Sequence, residues 1–157
     1  MNPPLGLTLV AFALLLVAVW TDLRGRTIPD TVSIALAALG LLATGLDWHD
    51  VDFVSLGLGV AIGFGLGALL FYAGAMGGGD AKLCAGLGAV CGWSRLLEVL
   101  FATALCGGIL SLWAKRRDQQ SLPYAPAIAG GYAVTIAIAW SLPPNAGLWQ
   151  LITEGMS

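Results

Sequence analysis

Residues 53–83 read FVSLGLGVAIGFGLGALLFYAGAMGGGDAKL. The run 53–75 carries no charged side chain and stops at three glycines and Asp80. An α-helix rises about 1.5 Å per residue and must cover roughly 30 Å of hydrocarbon, so about 20 apolar residues make a span. This run is long enough. It shows no apolar–polar alternation, which removes the strand of a membrane barrel, and lipid tolerates only helices and closed barrels. Gly59, Gly63 and Gly67 repeat every four residues. Such a stripe of small side chains lets helix backbones approach closely, and close packing inside a bundle accounts for it.

The rest of the chain has the same character. Of its 157 residues 58% are hydrophobic and 10% charged, against about 25% charged in a soluble domain. Most of the surface must therefore face a lipid bilayer. A net charge of −2 offers no basic field, so nucleic acid is not an expected partner. Polar punctuation predicts helices over about 4–20, 28–46, 53–75, 80–92, 96–113 and 124–142. The expected fold is all-α: a polytopic membrane helix bundle of about six helices in a single transmembrane domain over 1–157. The fourth stretch is too short to cross alone and reads as short or re-entrant, or as extending into Arg95 and beyond. The first has no Lys or Arg before Arg24 and ends in Trp20. A secretory signal would open on a basic region and close at small residues, so this stretch is expected to stay as a span.

Arg24, Arg26, Lys82, Lys115, Arg116 and Arg117 fall in alternate loops, whereas the second loop holds Asp47, Asp50 and Asp52. Arg95 alone departs from the pattern. The positive-inside rule then makes the odd-numbered loops cytoplasmic and puts both termini outside. Cys84, Cys91 and Cys106 form no C-x-x-C pair and read as small packing residues. His49 is the only histidine and lies in a polar loop. No metal site and no cofactor is expected.

Acids at a membrane boundary are costly and mark function. Asp22 stands at the end of the first span and Asp80 at the start of the fourth, on the same side by the inferred topology. Each also has a plain structural reading: Asp80 as a helix N-cap, Asp22 as a solvated residue past a helix end. The glycine run is no phosphate loop, because Asp80 stands between glycine and Lys82, and Leu83 follows the lysine. Bare glycines do suit the close approach of an extended substrate backbone. Two neighbouring carboxyls cannot both ionise cheaply and so share a proton. One takes a proton from water while the other donates to a scissile carbonyl oxygen. A helix N-terminus and nearby Lys82 favour the charged form of Asp80, a helix C-terminus disfavours that of Asp22, and Arg24 would reverse this by pairing with Asp22.

Three motifs carry a resemblance. Thr21-Asp22-Leu23-Arg24 with Thr27-Ile28-Pro29-Asp30 resembles the first motif of bacterial type IV prepilin peptidases. Met76-Gly77-Gly78-Gly79-Asp80-Ala81-Lys82-Leu83 is similar to their Gly-x-Gly-Asp motif, and Leu122-Pro123-Tyr124-Ala125-Pro126-Ala127-Ile128-Ala129 to a Pro-Tyr-Gly-Pro-type helix opening. The resemblance implies a GxGD-type intramembrane aspartic peptidase that cuts leaders from prepilin or pseudopilin precursors at the cytoplasmic membrane face. Asp22 and Asp80 would be the catalytic pair. Gly77, Gly78 and Gly79 would shape the substrate site, with Pro29, Asp30, Lys82, Pro123, Tyr124 and Pro126 in support.

Asp30 stands where the family usually has Asn, and Ala125 where Gly is common. Larger relatives carry an insertion with paired C-x-x-C motifs and N-methylate the trimmed pilin. This sequence lacks it, which implies cleavage without methylation. The compact layout resembles the peptidases of Flp-type (tight adherence) pilus systems in the bacterial cytoplasmic membrane; an archaeal preflagellin peptidase is similar in layout. The partners implied are precursor helices, and association into a homo-oligomer stays open. The competing reading is a non-catalytic assembly factor of a pilus or secretion system with a peptidase-like core.

Overall fold

The computed structural model describes residues 4–25, 27–74, 76–115 and 124–141. Arg26, Arg116, Arg117, Pro123 and Leu142, on which expectations above rest in part, lie outside the described residues. The described chain is helical throughout its regular structure: α1 (Leu5–Gly25), α2 (Asp30–Gly45), α3 (Phe53–Tyr72), α4 (Gly78–Lys115) and α5 (Ala125–Ser141).

α1 is longer than its apolar stretch. The Thr21 hydroxyl bonds the carbonyls of Val17 and Ala18, and the Arg24 guanidinium lies 4.2 Å over the Trp20 ring one turn back. A base in the last turn also suits the helix dipole. The helix therefore runs on through Asp22 to Gly25. Asp22 is not a solvated residue past the helix end: it continues the buried stripe Leu7, Ala11, Leu15 and Ala18.

α3 buries only Gly59, Gly63 and Gly67. A methyl at Gly59 would strike the backbone of Gly88, one at Gly63 the backbone of Cys84, and one at Gly67 would lie 2.6 Å from Ala81 Cα. The glycine stripe is thus the seam between α3 and the first part of α4. Gly57 and Gly65 have open space around them. On another side of α4, Gly40 of α2 lies against the Ala89 backbone and Gly86 against Ser33. Residues 83–92 are consequently enclosed almost throughout.

Among the described residues five helical elements stand, the expected fourth and fifth being joined at Gly92. The stretches 80–92 and 96–113 belong to one element, broken only at Gly92, whose φ of 70° and ψ of 171° are open to glycine alone. Gly92 lies against Val51 and Ser55, at the start of α3. Beyond it the chain turns back: Thr103 meets Gly131, and Gly107 meets Ala127 and Tyr124. Residues 80 and 107 therefore lie toward the same end, and Gly92 toward the other. His49 reaches the turn with its Nε2, 3.2 Å from the carbonyl oxygen of Val90.

Leu5–Gly25, Phe53–Tyr72 and Gly78–Ile109 are long and apolar enough to cross a membrane, and Asp30–Gly45 and Ala125–Ser141 are shorter apolar helices. Leu9, Ile34, Leu42, Val54, Leu69 and Ile109 lie exposed on their outer faces. Soluble monomers rarely expose so many large apolar side chains. The chain is an integral membrane protein.

Candidate active site

The three sequence motifs meet at one end of the bundle. Asp22 arrives on the last turn of α1, Asp80 on the first turn of α4, and Tyr124 to Pro126 at the opening of α5. Asp22 and Asp80 are each only 7% exposed, and they are close enough for their charges to interact.

Each carboxyl is held by a helix start. The first N–H groups of a helix lack partners within it. The Ala125 N–H, first in α5, donates to Asp22 Oδ2 at 3.3 Å. The Gly77 N–H donates to Asp80 Oδ2 at 3.2 Å, and the Gly77 carbonyl accepts the opening helical bond from Ala81. Gly77 is therefore the cap position. Asp80 is the third residue inside and reaches back in the manner of a capping box; it is not itself the N-cap. Asp80 Oδ1 is buried and has no hydrogen-bond partner. Asp80 thus has the favourable end of the α4 dipole, whereas Asp22 gains the start of α5 but stands in the last turn of α1, whose dipole opposes its charge.

The nearby cations are engaged elsewhere. Lys82 does not turn toward Asp80: its Nζ sits 2.8 Å from both carboxylate oxygens of Asp30, joining the starts of α4 and α2. Arg24 stacks on Trp20. Pro29 holds the cap position of α2 with extended backbone (φ −61°, ψ 135°) and is exposed.

The three glycines differ. A methyl on Gly79 would lie 3.1 Å from Ile28 Cβ, and one on Gly77 3.1 Å from Asp80 Oδ2. One on Gly78 would have ordinary room, with the Phe71 ring 3.6 Å away. Tyr124 is half-buried, and its carbonyl accepts the opening bonds of α5 from Ala127 and Ile128. Pro126 sits in the first turn of that helix, where a missing N–H costs nothing. Pro123 lies outside the described residues.

Sequence reasoning missed three contacts: the Ala125 amide on Asp22, the packing of Ile28 on Gly79, and the Asp30–Lys82 pair. The helical spacing of Asp22 from Leu15 and Ala18 signals its burial. Nothing in the sequence signals a pairing across 52 positions. Toward the other end lies a cavity of about 190 Å³ lined by Thr8, His49, Arg95 and Tyr132 among others, and neither acid reaches it.

Residues 9–112 match the model of the type IV leader peptidase family. Among curated proteins the chain is similar to the prepilin leader peptidase/N-methyltransferase of Xanthomonas campestris pv. campestris, 36% identical over 69% of this chain and 42% of that protein. It is similar to the Escherichia coli K12 protein of that name, 30% identical over 86% of this chain and 64% of the other. For the Bacillus subtilis 168 protein the identity is 34%, over 78% and 51%. The chain spans about half the length of the curated relatives it matches. No solved structure matches it.

Proposed function

The chain belongs to the type IV leader peptidase family, and from that membership we propose that it is an intramembrane aspartic endopeptidase which removes the leader from type IV prepilins. What supports the reading is that Asp22 and Asp80 are two buried carboxyls from different helices, near enough for their charges to interact and each anchored through one oxygen.

In the proposed reaction the pair holds one proton. The ionised carboxyl draws a proton from a water molecule as its oxygen attacks the scissile carbonyl carbon. The protonated carboxyl donates to the carbonyl oxygen. Collapse of the tetrahedral species passes a proton to the departing amine, breaks the C–N bond and returns the pair to one proton. Asp80 Oδ1 is the oxygen left without a partner and is assigned to face the water.

The site belongs at the cytoplasmic face of the bacterial cytoplasmic membrane, because Arg24 and Lys82 flank it. The expectation of six spans belongs to the same proposal, with residues 78–91 and 93–115 of α4 as the fourth and fifth. The Flp-like substrate class follows from the compact arrangement of the motifs, and cleavage without N-methylation from the lack of paired C-x-x-C motifs in this sequence.

The test is co-expression with a Flp-type prepilin. The parent should convert the precursor to a faster-migrating form, and Asp22→Asn and Asp80→Asn should not. Equal trimming by either variant removes the catalytic claim and leaves the assembly-factor reading.

A further inference from the structure

We infer that the Asp30–Lys82 ion pair is a positioning clamp that sets the separation of the Asp22 and Asp80 carboxyls. The inference rests on the reading of those acids as a working pair.

The two helices that carry the acids share little packing with one another. α2 and α5 each pack against both of them. The distance between the carboxyls is therefore set by intermediaries. On one side stands α5, whose Ala125 amide holds Asp22 and whose Ala127 and Gly131 pack on Gly107 and Thr103, beyond the turn of α4 at Gly92. On the other side the intermediary is the stretch entering α2. Ile28 lies against Gly79, and two residues beyond Ile28 and three beyond Gly79, Asp30 grips Lys82. Asp30 is tied to Asp22 through one short connection, and Lys82 is one turn or less from Asp80 on the same helix.

The geometry is that of a fixed contact. One Nζ lies 2.8 Å from each oxygen of the same carboxylate. The side chains are half exposed, 51% for Lys82 and 60% for Asp30. Exposed pairs add little to global stability, so breaking this one leaves the fold standing. Reacting groups are less forgiving: a misplacement of about 1 Å costs about 100-fold in rate. Lys82 and Asp30 touch neither acid in this arrangement, and they act through the helix starts that bear them.

Charge reversal separates a clamp from a direct electrostatic effect. If Lys82 served by placing positive charge beside Asp80, an aspartate at 82 would be damaging whatever stood at 30. A clamp is restored when both partners are exchanged. Two readouts apply to Asp30→Lys, Lys82→Asp and the double exchange. The first is kcat and KM for a Flp-type prepilin in phospholipid vesicles. Single reversals should lower kcat about 10-fold with KM within about 2-fold, and the double exchange should return kcat to within about 3-fold of the parent.

The second needs no activity. The rate of disulfide formation between Asp22→Cys and Asp80→Cys, with Cys84, Cys91 and Cys106 replaced by alanine, should fall on single reversal and recover in the double exchange. Disulfide rates that ignore the charges overturn the clamp, even if the parent cleaves. A double exchange no better than the worse single also overturns it. Disulfide rates that follow the charges support the clamp, even if no prepilin is cut and the catalytic reading falls.

Discussion

Asp80 is the residue whose surroundings make least sense as structure alone. Its buried Oδ1 has no partner, and a buried polar atom left unsatisfied costs about 1–3 kcal/mol. A second acid lies close by. A residue kept for stability would not be arranged in this way, whereas one kept for chemistry would. Asp80→Asn should therefore unfold at or above the parent's temperature in detergent while cleavage falls at least about 100-fold. Unfolding several degrees lower with activity retained would make Asp80 a structural cap. Since a pair holding no proton or two is idle, the rate should fall on both the acid and the alkaline side of an optimum. A rate flat across that range would contradict proton sharing. Gly78 provides a second test at this scale. Its methyl has room in the fold, so Gly78→Ala should keep the melting temperature within about 2 °C. If substrate backbone passes over the glycines, the same variant should slow cleavage about 10-fold. The two acids could be singled out from the sequence because charges are so rare here, but their partners could not, since Ala125 contributes only a backbone amide.

At the scale of helices, the glycines fall into two groups. Gly59, Gly63 and Gly88 stand where backbones touch, and Gly57 and Gly65 do not. Gly63→Ala should destabilise by about 1–3 kcal/mol through overpacking. Gly65→Ala should be neutral or stabilising by up to about 1 kcal/mol, because alanine is the better helix former. Thermal unfolding of both in detergent checks the contrast, and equal effects would deny the seam. The four-residue spacing of the stripe was readable in the sequence, since it needs only helical geometry. The break in α4 was less so. Trp93-Ser94-Arg95 reads as the break after the fourth stretch, yet Gly92 alone makes the turn and helix resumes at once. The end of α1 is hidden in the sequence for a related reason. Hydropathy stops at Trp20, but backbone hydrogen bonding continues wherever Thr21 and Arg24 can support it.

Across the whole molecule, the acids, the ion pair and the opening of α5 occupy one end, and His49, Gly92 and the start of α3 lie toward the other. Apolar length and charge placement in the sequence determine which ends are equivalent. How far apart the helices sit depends on side-chain packing, which no hydropathy pattern encodes. Single cysteines in the exposed positions Thr27→Cys and Asp47→Cys should react with a membrane-impermeant maleimide from opposite sides in oriented vesicles, the first from the cytoplasmic side. Labelling of both from one side would overturn the topology. The most direct measurement is mass spectrometry of a Flp-type prepilin after incubation with the purified protein in vesicles. The account predicts one new N-terminus, at the junction of leader and apolar helix, formed by the parent and absent with Asp22→Asn or Asp80→Asn. The same product from an Asn variant, or an intact precursor with the parent, would contradict it.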